Sequence, residues 1–504
     1  VTGKVVDTEV LVVGAGPTGL TLACALRLHG IRVRVVDRSD GPATTSRANF
    51  LHARGSEVLG RIGALGTLPD ESLRAMRITN YLGDRPLVTL EFGDPHLHTA
   101  APPMVISQAR VEGSLRDRLA ELGAAPEWGN GLVGLRQRAD SAVAECADGT
   151  SIRARWVVGC DGVSSTTRTL AGIGFPGVKL TERWLLADLH LEWDLDRGGT
   201  TGWIHPSGLV GAMPMPSDGS ERGDLWRIFA YDPGRAEKPS ESDILDRMRE
   251  IIPHRSGRRV RVGDPEWLSV FTVHRRLAER YRSGRILIAG DAAHAHAPFG
   301  GQGMLTGIGD AENLAFKLAL VTRGLAADAL VDTYQAERRP LATEVLRGTS
   351  AVTRVNVAGN PVARFLRDRV APKIFGLAPV QRWTTYTASQ LWVSYRKGPL
   401  GGRGPKPRPG DPIPDTECAR PDGGATRLHR ELGAHWAVLA PPDTPGCADA
   451  ARRHLGEFVE ALTYDDDEAM LIRPDGHLAW RGDPTDADGV TRWLTTALTT
   501  GSTR

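Results

Sequence analysis

The sequence predicts an α/β protein: a Rossmann-type dinucleotide-binding domain carries an inserted antiparallel sheet and is followed by a smaller tail domain. Three observations point there. A β-branched run at residues 9–13 leads into Gly14-Ala-Gly16-Pro-Thr-Gly19, and helical apolar spacing follows from Thr18 to His29. Across residues 177–275, tryptophans at 184, 193, 203, 226 and 267 and period-two alternation replace helical spacing. A Gly- and Pro-rich stretch at residues 397–414 then sets off a tail with strand signals of its own. The expected division is residues 1–176 with 276–396, residues 177–275 as the insert, and residues 397–504 as linker and tail.

Taken in order, residues 9–13 read as the first strand, 18–29 as the first helix and 31–36 as the second strand, with Gly30 ending the helix. Two parallel strands joined this way need a right-handed crossover. An amphipathic helix is expected at 111–122, and strand-like segments continue to Trp156-Val-Val158. In the insert, 184–193, 201–205 and 225–231 read as strands, with turns at Pro206-Ser-Gly208 and Ser217-Asp-Gly219 and one helix at 241–252. Residues 285–289 return to a buried-strand pattern. Two long helices follow at 305–322 and 332–355, and Pro340 should kink the second. In the tail, strands are expected at 436–440 and 469–472, with Pro474-Asp-Gly476 as a hairpin turn.

Composition excludes several function classes. A chain of 504 residues exceeds what one core encloses. Lys plus Arg (62) and Asp plus Glu (60) leave a net charge of +2, which gives no electrostatic ground for nucleic acid or an anionic membrane as partner. The five cysteines, at 24, 146, 160, 418 and 447, are odd in number and form no CxxC, so neither a disulfide framework nor structural zinc is expected. A reducing cytoplasm is the expected compartment. The longest uncharged apolar stretch, residues 10–26, is broken by glycines and Pro17 and preceded by Asp7 and Glu9, unlike a signal peptide or membrane span.

The glycine motif has a mechanical reading. Gly14 permits a tight turn, Gly16 lets backbone approach a pyrophosphate, and Gly19 lets the helix pack close to the strand. The helix N-terminus offers N–H groups to phosphate charge. Asp37 ends the second strand, where it can accept from an adenosine ribose. Two more strands end alike, in Cys-Asp161-Gly162, followed by Arg168, and in Gly290-Asp291. The loop Pro298-Phe299-Gly-Gly-Gln-Gly303-Met304 then enters a helix. A strand-end Asp can bind a ribityl hydroxyl, and a glycine loop entering a helix presents N–H groups to an anionic oxygen.

In order and spacing these three motifs resemble the single-component aromatic hydroxylases built on the para-hydroxybenzoate hydroxylase fold, the class A flavoprotein monooxygenases. The resemblance implies FAD, with Gly14, Gly16, Gly19, Asp37 and Arg38 at its adenosine end. Arg47 and Gln108 look like the family's flavin-contacting pair, Asp291 like its ribityl ligand, and Gly303, Met304 and Leu305 like the backbone beside the flavin ring. Asp161 matches a residue associated with both FAD and nicotinamide use. The family commonly has Asn where this chain has Leu305, so a side-chain hydrogen bond from that position is lost. The tail resembles the thioredoxin-like third domain of the polyketide and phenol hydroxylase branch, with Arg473-Pro-Asp-Gly-His-Leu-Ala-Trp480 similar to its C-terminal strand pair.

The resemblance further implies transient NADPH or NADH, and O₂ added at the flavin C4a. The resulting hydroperoxide would hydroxylate a polycyclic, polyketide-like aromatic substrate of antibiotic biosynthesis, in a monomer or homodimer. Baeyer–Villiger insertion, antibiotic-inactivating hydroxylation and a non-catalytic flavin-containing carrier are the alternatives. Phe299, beside Pro298, is expected to meet the substrate. His205 and His52 are candidates for a base that deprotonates a phenol, although a surface or packed histidine is the commoner reading for each. His294-x-His296 lacks a third ligand at suitable spacing, and no metal is expected.

Overall fold

The β-branched run at the N-terminus becomes strand β1 (Val5–Val13), which the glycine motif turns directly into helix α1 (Pro17–Leu28). This computed structural model describes residues 5–500 except 46–47, 74–75, 216–222, 233–238, 297–299, 357–364, 366–368 and 376. After β2 (Val33–Val36) come β3 (Phe50–Leu51), α2 (Ala53–Arg61), α3 (Leu68–Glu71), β4 (Arg77–Leu82), β5 (Arg85–Glu91) and β6 (Met104–Val105). Next follow α4 (Gln108–Glu121), β7 (Pro126–Glu127), β8 (Leu132–Gln137), β9 (Ala142–Cys146), β10 (Ser151–Gly159) and α5 (Thr166–Leu170). The middle of the chain holds β11 (Gly177–Glu192), β12 (Thr200–His205), β13 (Gly208–Pro214), β14 (Leu225–Asp232), α6 (Glu241–Ser256) and β15 (Arg261–Leu277). Then come β16 (Arg282–Ser283), β17 (Ile286–Ile288), β18 (His294–Ala295), α7 (Gln302–Thr322) and α8 (Ala329–Asn356).

The first sheet runs β16-β17-β10-β1-β2-β7, with β9 and β8 added beside β10. β17, β10, β1 and β2 are mutually parallel, and Val10 to Val13, Trp156 to Val158 and Ile286 to Ile288 are all buried. Such apolar runs belong to a parallel sheet covered on both faces. Helix α4 starts at Gln108, three residues before the expected start, because Ser107 caps it by accepting from Arg110 N–H. Helix α8 continues through Pro340. Among the described residues no helix is long and apolar enough to cross a membrane.

The second sheet runs β18-β15-β11-β14-β13-β12-β4-β5. Strand alternation gives it two faces. Leu185, Ala187 and Leu189 of β11 and Trp226, Ile228 and Ala230 of β14 pack with Ile244, Met248, Ile251 and Ile252 of α6. The opposite face presents Trp184, Leu209, Phe229 and Phe271. This sheet is larger than the insert read from the sequence. The hairpin β4–β5, placed there with the nucleotide-binding segment, pairs β4 parallel to β12, from Thr200 opposite Ile78 to Ile204 opposite Leu82. Every residue of β4 is half-buried, so its sequence carries no inside–outside alternation. The turn expected at 217–219 lies outside the described residues.

In the tail, β19 (Glu417–Ala419), β20 (Ala425–Arg427), β21 (Trp436–Ala440), β22 (Val459–Thr463), β23 (Ala469–Ile472) and β24 (Leu478–Gly482) form a sheet ordered β20-β19-β22-β21-β23-β24. β21 and β22 are parallel, joined through helix Gly446–Leu455, and β23 and β24 form a hairpin before the last helix, Ala487–Thr500. That is a thioredoxin-like arrangement. The hairpin turn plugs between α7 and α8. Arg473 donates to both oxygens of Glu337, at 2.8 and 2.9 Å, and also to Asp475, while Lys317 donates to Glu337 at 2.7 Å and to Asn313 at 2.8 Å. All these side chains are buried. Burial works against ionising Glu337, but Arg473 and Lys317 bring its carboxyl down to about 2.

Candidate active site

The three motif glycines have separate structural reasons. Gly14 sits at φ +108°, and a Cβ there would stand 2.5 Å from the Cys160 carbonyl oxygen. At Gly19 a Cβ would come within 2.0 Å of the Gly14 carbonyl oxygen. Gly16 caps α1 in extended backbone, and nothing lies within 4 Å of the place its Cβ would take. The α1 N-terminus has no side-chain cap, so its N–H groups face that open space. Asp37 is locked to the turn, accepting from Ala15 N–H at 2.7 Å and from Ser39 N–H at 2.8 Å. Arg38 beside it is exposed. Open space at an uncapped helix end, with a fixed carboxylate at the strand end, fits a dinucleotide.

Gln108 donates its backbone N–H to Ala48 O at 2.9 Å and its side-chain Nε2 to Glu112 at 2.8 Å. Burial pushes the Glu112 carboxyl up, against the Gln108 hydrogen bond. Asp161 is committed locally. One oxygen accepts from Ser165 Oγ, and the other accepts from Thr167 N–H at 2.9 Å and its hydroxyl at 3.0 Å, which fastens the loop to the start of α5. Arg168 ties this loop to the next one, donating to Val163 O at 2.8 Å and Ala292 O at 2.9 Å. Asp291 is exposed, and among the described residues its carboxylate accepts no hydrogen bond. Its neighbour Gly290 donates N–H to Asp310 at 3.1 Å, and Asp310 also meets His294 Nε2 at 2.6 Å and Arg338 Nε at 2.7 Å. Burial opposes ionisation of Asp310, and His294 and Arg338 more than offset it, holding the carboxyl below its ordinary value.

Gly303, Met304 and Leu305 lie in the first turn of α7, whose cap Gly301 has φ +63° and no side-chain bond. Leu305 is 1% exposed and turns inward, its Cδ1 3.5 Å from where a Cβ on Gly55 of α2 would stand. The N-termini of α1 and α7 converge on Thr18. Its Oγ1 lies 2.5 Å from where a Cβ on Gly290 would stand and 2.2 Å from where one on Gly307 would. Arg47, Pro298 and Phe299 lie outside the described residues.

The two histidines weighed as bases part company. His205 sits at the β12–β13 turn, its Nδ1 2.8 Å from Ser207 Oγ and its ring 4.7 Å from that of His254 in α6. By alternation with Trp203, which packs with α6, and by its contact with His254, it belongs to the α6 side of the sheet. His52 is 1% exposed and meets the glycine loop, with Nε2 2.7 Å from Gly300 O. Next to it, Asn49 accepts from Arg227 at 2.6 Å, and Arg227 grips Asp188 through two bonds of 2.7 and 2.6 Å on the sheet face away from α6. Glu112, Asn49, Asp188 and Arg227 were not singled out in the sequence. Only Glu112 left a signal there, one helical turn after Gln108.

A family profile described as FAD binding domain matches residues 7–349, and one described as aromatic-ring hydroxylase, C-terminal, matches residues 406–501. The chain belongs to the FAD-dependent aromatic-ring hydroxylases. This hydroxylase is 36% identical to a 6-methylpretetramide 4-monooxygenase of Streptomyces rimosus, over 94% of the chain and 90% of the relative. It is 35% identical to a rifampicin monooxygenase of Streptomyces venezuelae, over 94% of the chain and 96% of the relative. Its fold matches that of an anhydrotetracycline hydroxylase from Streptomyces rimosus with a TM-score of 0.80 and 31% identity, covering 97% of this chain and 99% of the other. An aklavinone-11 hydroxylase solved with FAD and aklavinone matches with a TM-score of 0.78 and 26% identity, over 97% and 99% of the two chains. The hydroxylase is thus an FAD-dependent aromatic monooxygenase.

Proposed function

We propose that this hydroxylase uses NAD(P)H and O₂ to hydroxylate a polycyclic, polyketide-type aromatic substrate of secondary metabolism. The reaction space lies between the α7 loop and the sheet face turned away from α6. The observation that carries this reading is the convergence of two uncapped helix N-termini, α1 and α7, on Thr18. That geometry suits a cofactor with a pyrophosphate at one end and an anionic ring edge at the other. FAD bound there would accept hydride and activate O₂. The chain's own groups do the holding. The α1 N-terminus over Gly16 takes the pyrophosphate, with Gly14 and Gly19 shaping the turn and Asp37 and Arg38 at the adenosine end. Asp291, whose carboxylate has no partner among the described residues, is offered to a ribityl hydroxyl, and the first turn of α7, Gly303 to Leu305, presents N–H groups to the ring edge. Arg47 and Gln108 complete the flavin contacts, and Asp161 acts by holding its loop in shape.

Pro298 and Phe299 are assigned to substrate contact, and the half-buried rings Phe229 and Phe271, on the sheet face turned away from α6, to the other wall. Those rings suit a flat polycycle. The pretetramide, anhydrotetracycline and aklavinone named for its relatives support that class. A second reading, oxygenation of a rifampicin-like antibiotic, is favoured by the rifampicin relative. The nucleotide-binding, sheet and tail domains divide the work: cofactor, substrate and packing.

The test is anaerobic reduction of FAD-loaded protein by NADPH, with polycyclic phenols and with rifampicin. A phenol that accelerates flavin bleaching and is hydroxylated in air supports the first reading. Acceleration by rifampicin alone supports the second, and acceleration by none of the compounds counts against both.

A further inference from the structure

The segment from Asn49 to His52 touches both walls of this space. Asn49 is held from the sheet side by Arg227, Phe50 packs under Gly301, whose Cβ would lie 2.9 Å from the Phe50 ring, and His52 meets Gly300. The loop needs such a hold. Gly300 (φ +85°) and Gly301 (φ +63°) are consecutive left-handed glycines, the most permissive backbone a chain can offer. Leu305 supplies no hydrogen-bonding side chain in the turn that follows.

The partners of His52 decide its tautomer. A carbonyl oxygen can only accept, so Nε2 carries the hydrogen that reaches Gly300 O. Nδ1 is then left as a lone pair, buried and without a hydrogen-bond partner among the described residues. The ring lies 5.4 Å from that of Phe92 and 6.4 Å from that of Phe50. A second, charged N–H would be stranded in these apolar surroundings. Burial accordingly brings the imidazole down to about 4, against the bond to Gly300. His52 is therefore a neutral single donor rather than a titrating base.

We infer that His52 is a positioning residue for the flavin chemistry: through the Gly300 carbonyl it fixes the glycine loop and aims the N–H groups at the start of α7. The inference rests on the reading of α7 as the flavin-facing helix.

The test uses the full-length chain and the variants H52Q and H52F. Glutamine reaches the Nε2 position with an N–H, whereas phenylalanine keeps the bulk and loses the donor. Three readouts are taken: the FAD dissociation constant, the visible flavin spectrum and the flavin midpoint potential. In H52F the expected result is FAD binding weakened about tenfold, as for one lost hydrogen bond. Its spectrum should shift and its potential become more negative, because the reduced, anionic ring edge loses aligned donors. H52Q should stay close to the parent. If H52F does not fold, H52N replaces it, since its amide reaches only the Nδ1 position. Equal behaviour of H52Q and the donor-less variant, whether both parent-like or both impaired, overturns the inference. Parent protein that takes up no FAD fails the site reading itself, a result separate from any difference among the variants.

Discussion

The three glycines after β1 answer to different neighbours, and substitution should separate them. A methyl at Gly19 would stand 2.0 Å from the Gly14 carbonyl oxygen, so Gly19→Ala must push α1 off the strand. Its apoprotein should melt well below the parent. At Gly16→Ala the added methyl has no described neighbour within 4 Å, so the variant should melt like the parent, yet bind FAD more weakly in a fluorescence titration because the methyl enters the space we assign to phosphate. Asp291→Ala removes a carboxylate that has no protein partner among the described residues. Stability should hold while FAD affinity falls about tenfold. Residues of this kind were legible because their reasons are local: a turn, a helix start, a strand end. Asp188 and Arg227 were not, because their pairing joins positions 39 residues apart. A lone charge within an apolar strand does not say what will neutralise it.

At the scale of one element, α7 joins the proposed cofactor site to the tail. Its inward-facing Leu305 explains the departure from the family's usual asparagine, since the side chain fills the gap over Gly55 of α2. Leu305→Asn should therefore cost about 2–4 kcal/mol in urea unfolding, from lost burial and an unsatisfied amide. It should not tighten FAD binding. Elements buried at every position were readable as short continuous apolar runs, as β21 and β23 are, their bounds falling where the run gives way to turn residues. The strand β4 was not, because half-burial on both faces erases the alternation that marks a strand. The start of α4 was misplaced by one turn because Ser107, not the apolar pattern, sets it.

For the whole molecule, the tail is anchored to the helices by buried charge rather than by apolar surface alone. Glu337 faces both Arg473 and Lys317, so Glu337→Gln leaves two cations under-neutralised and should cost about 3–5 kcal/mol. The pH dependence has a definite sign. The native carboxyl lies at about 2 against an ordinary 4.5, so the unfolded chain binds the extra proton between those values. The contribution of Glu337 is fully present above about pH 4.5 and fades as pH falls toward 2. Denaturation measured across that range should be steeper in pH for the parent than for the variant. The Arg473 segment was noticed in the sequence, but its partners on α7 and α8 lie more than 130 residues away. The hairpin β4–β5 bears on how specificity can be moved between relatives. Apart from the two-residue strand at 294–295, the second sheet, which we propose as the substrate wall, is woven from two stretches of chain, 77–91 and 177–277, stitched where β4 runs beside β12. A graft of the second stretch alone would set a donor strand against a host edge it never evolved beside, so a working chimera must splice both.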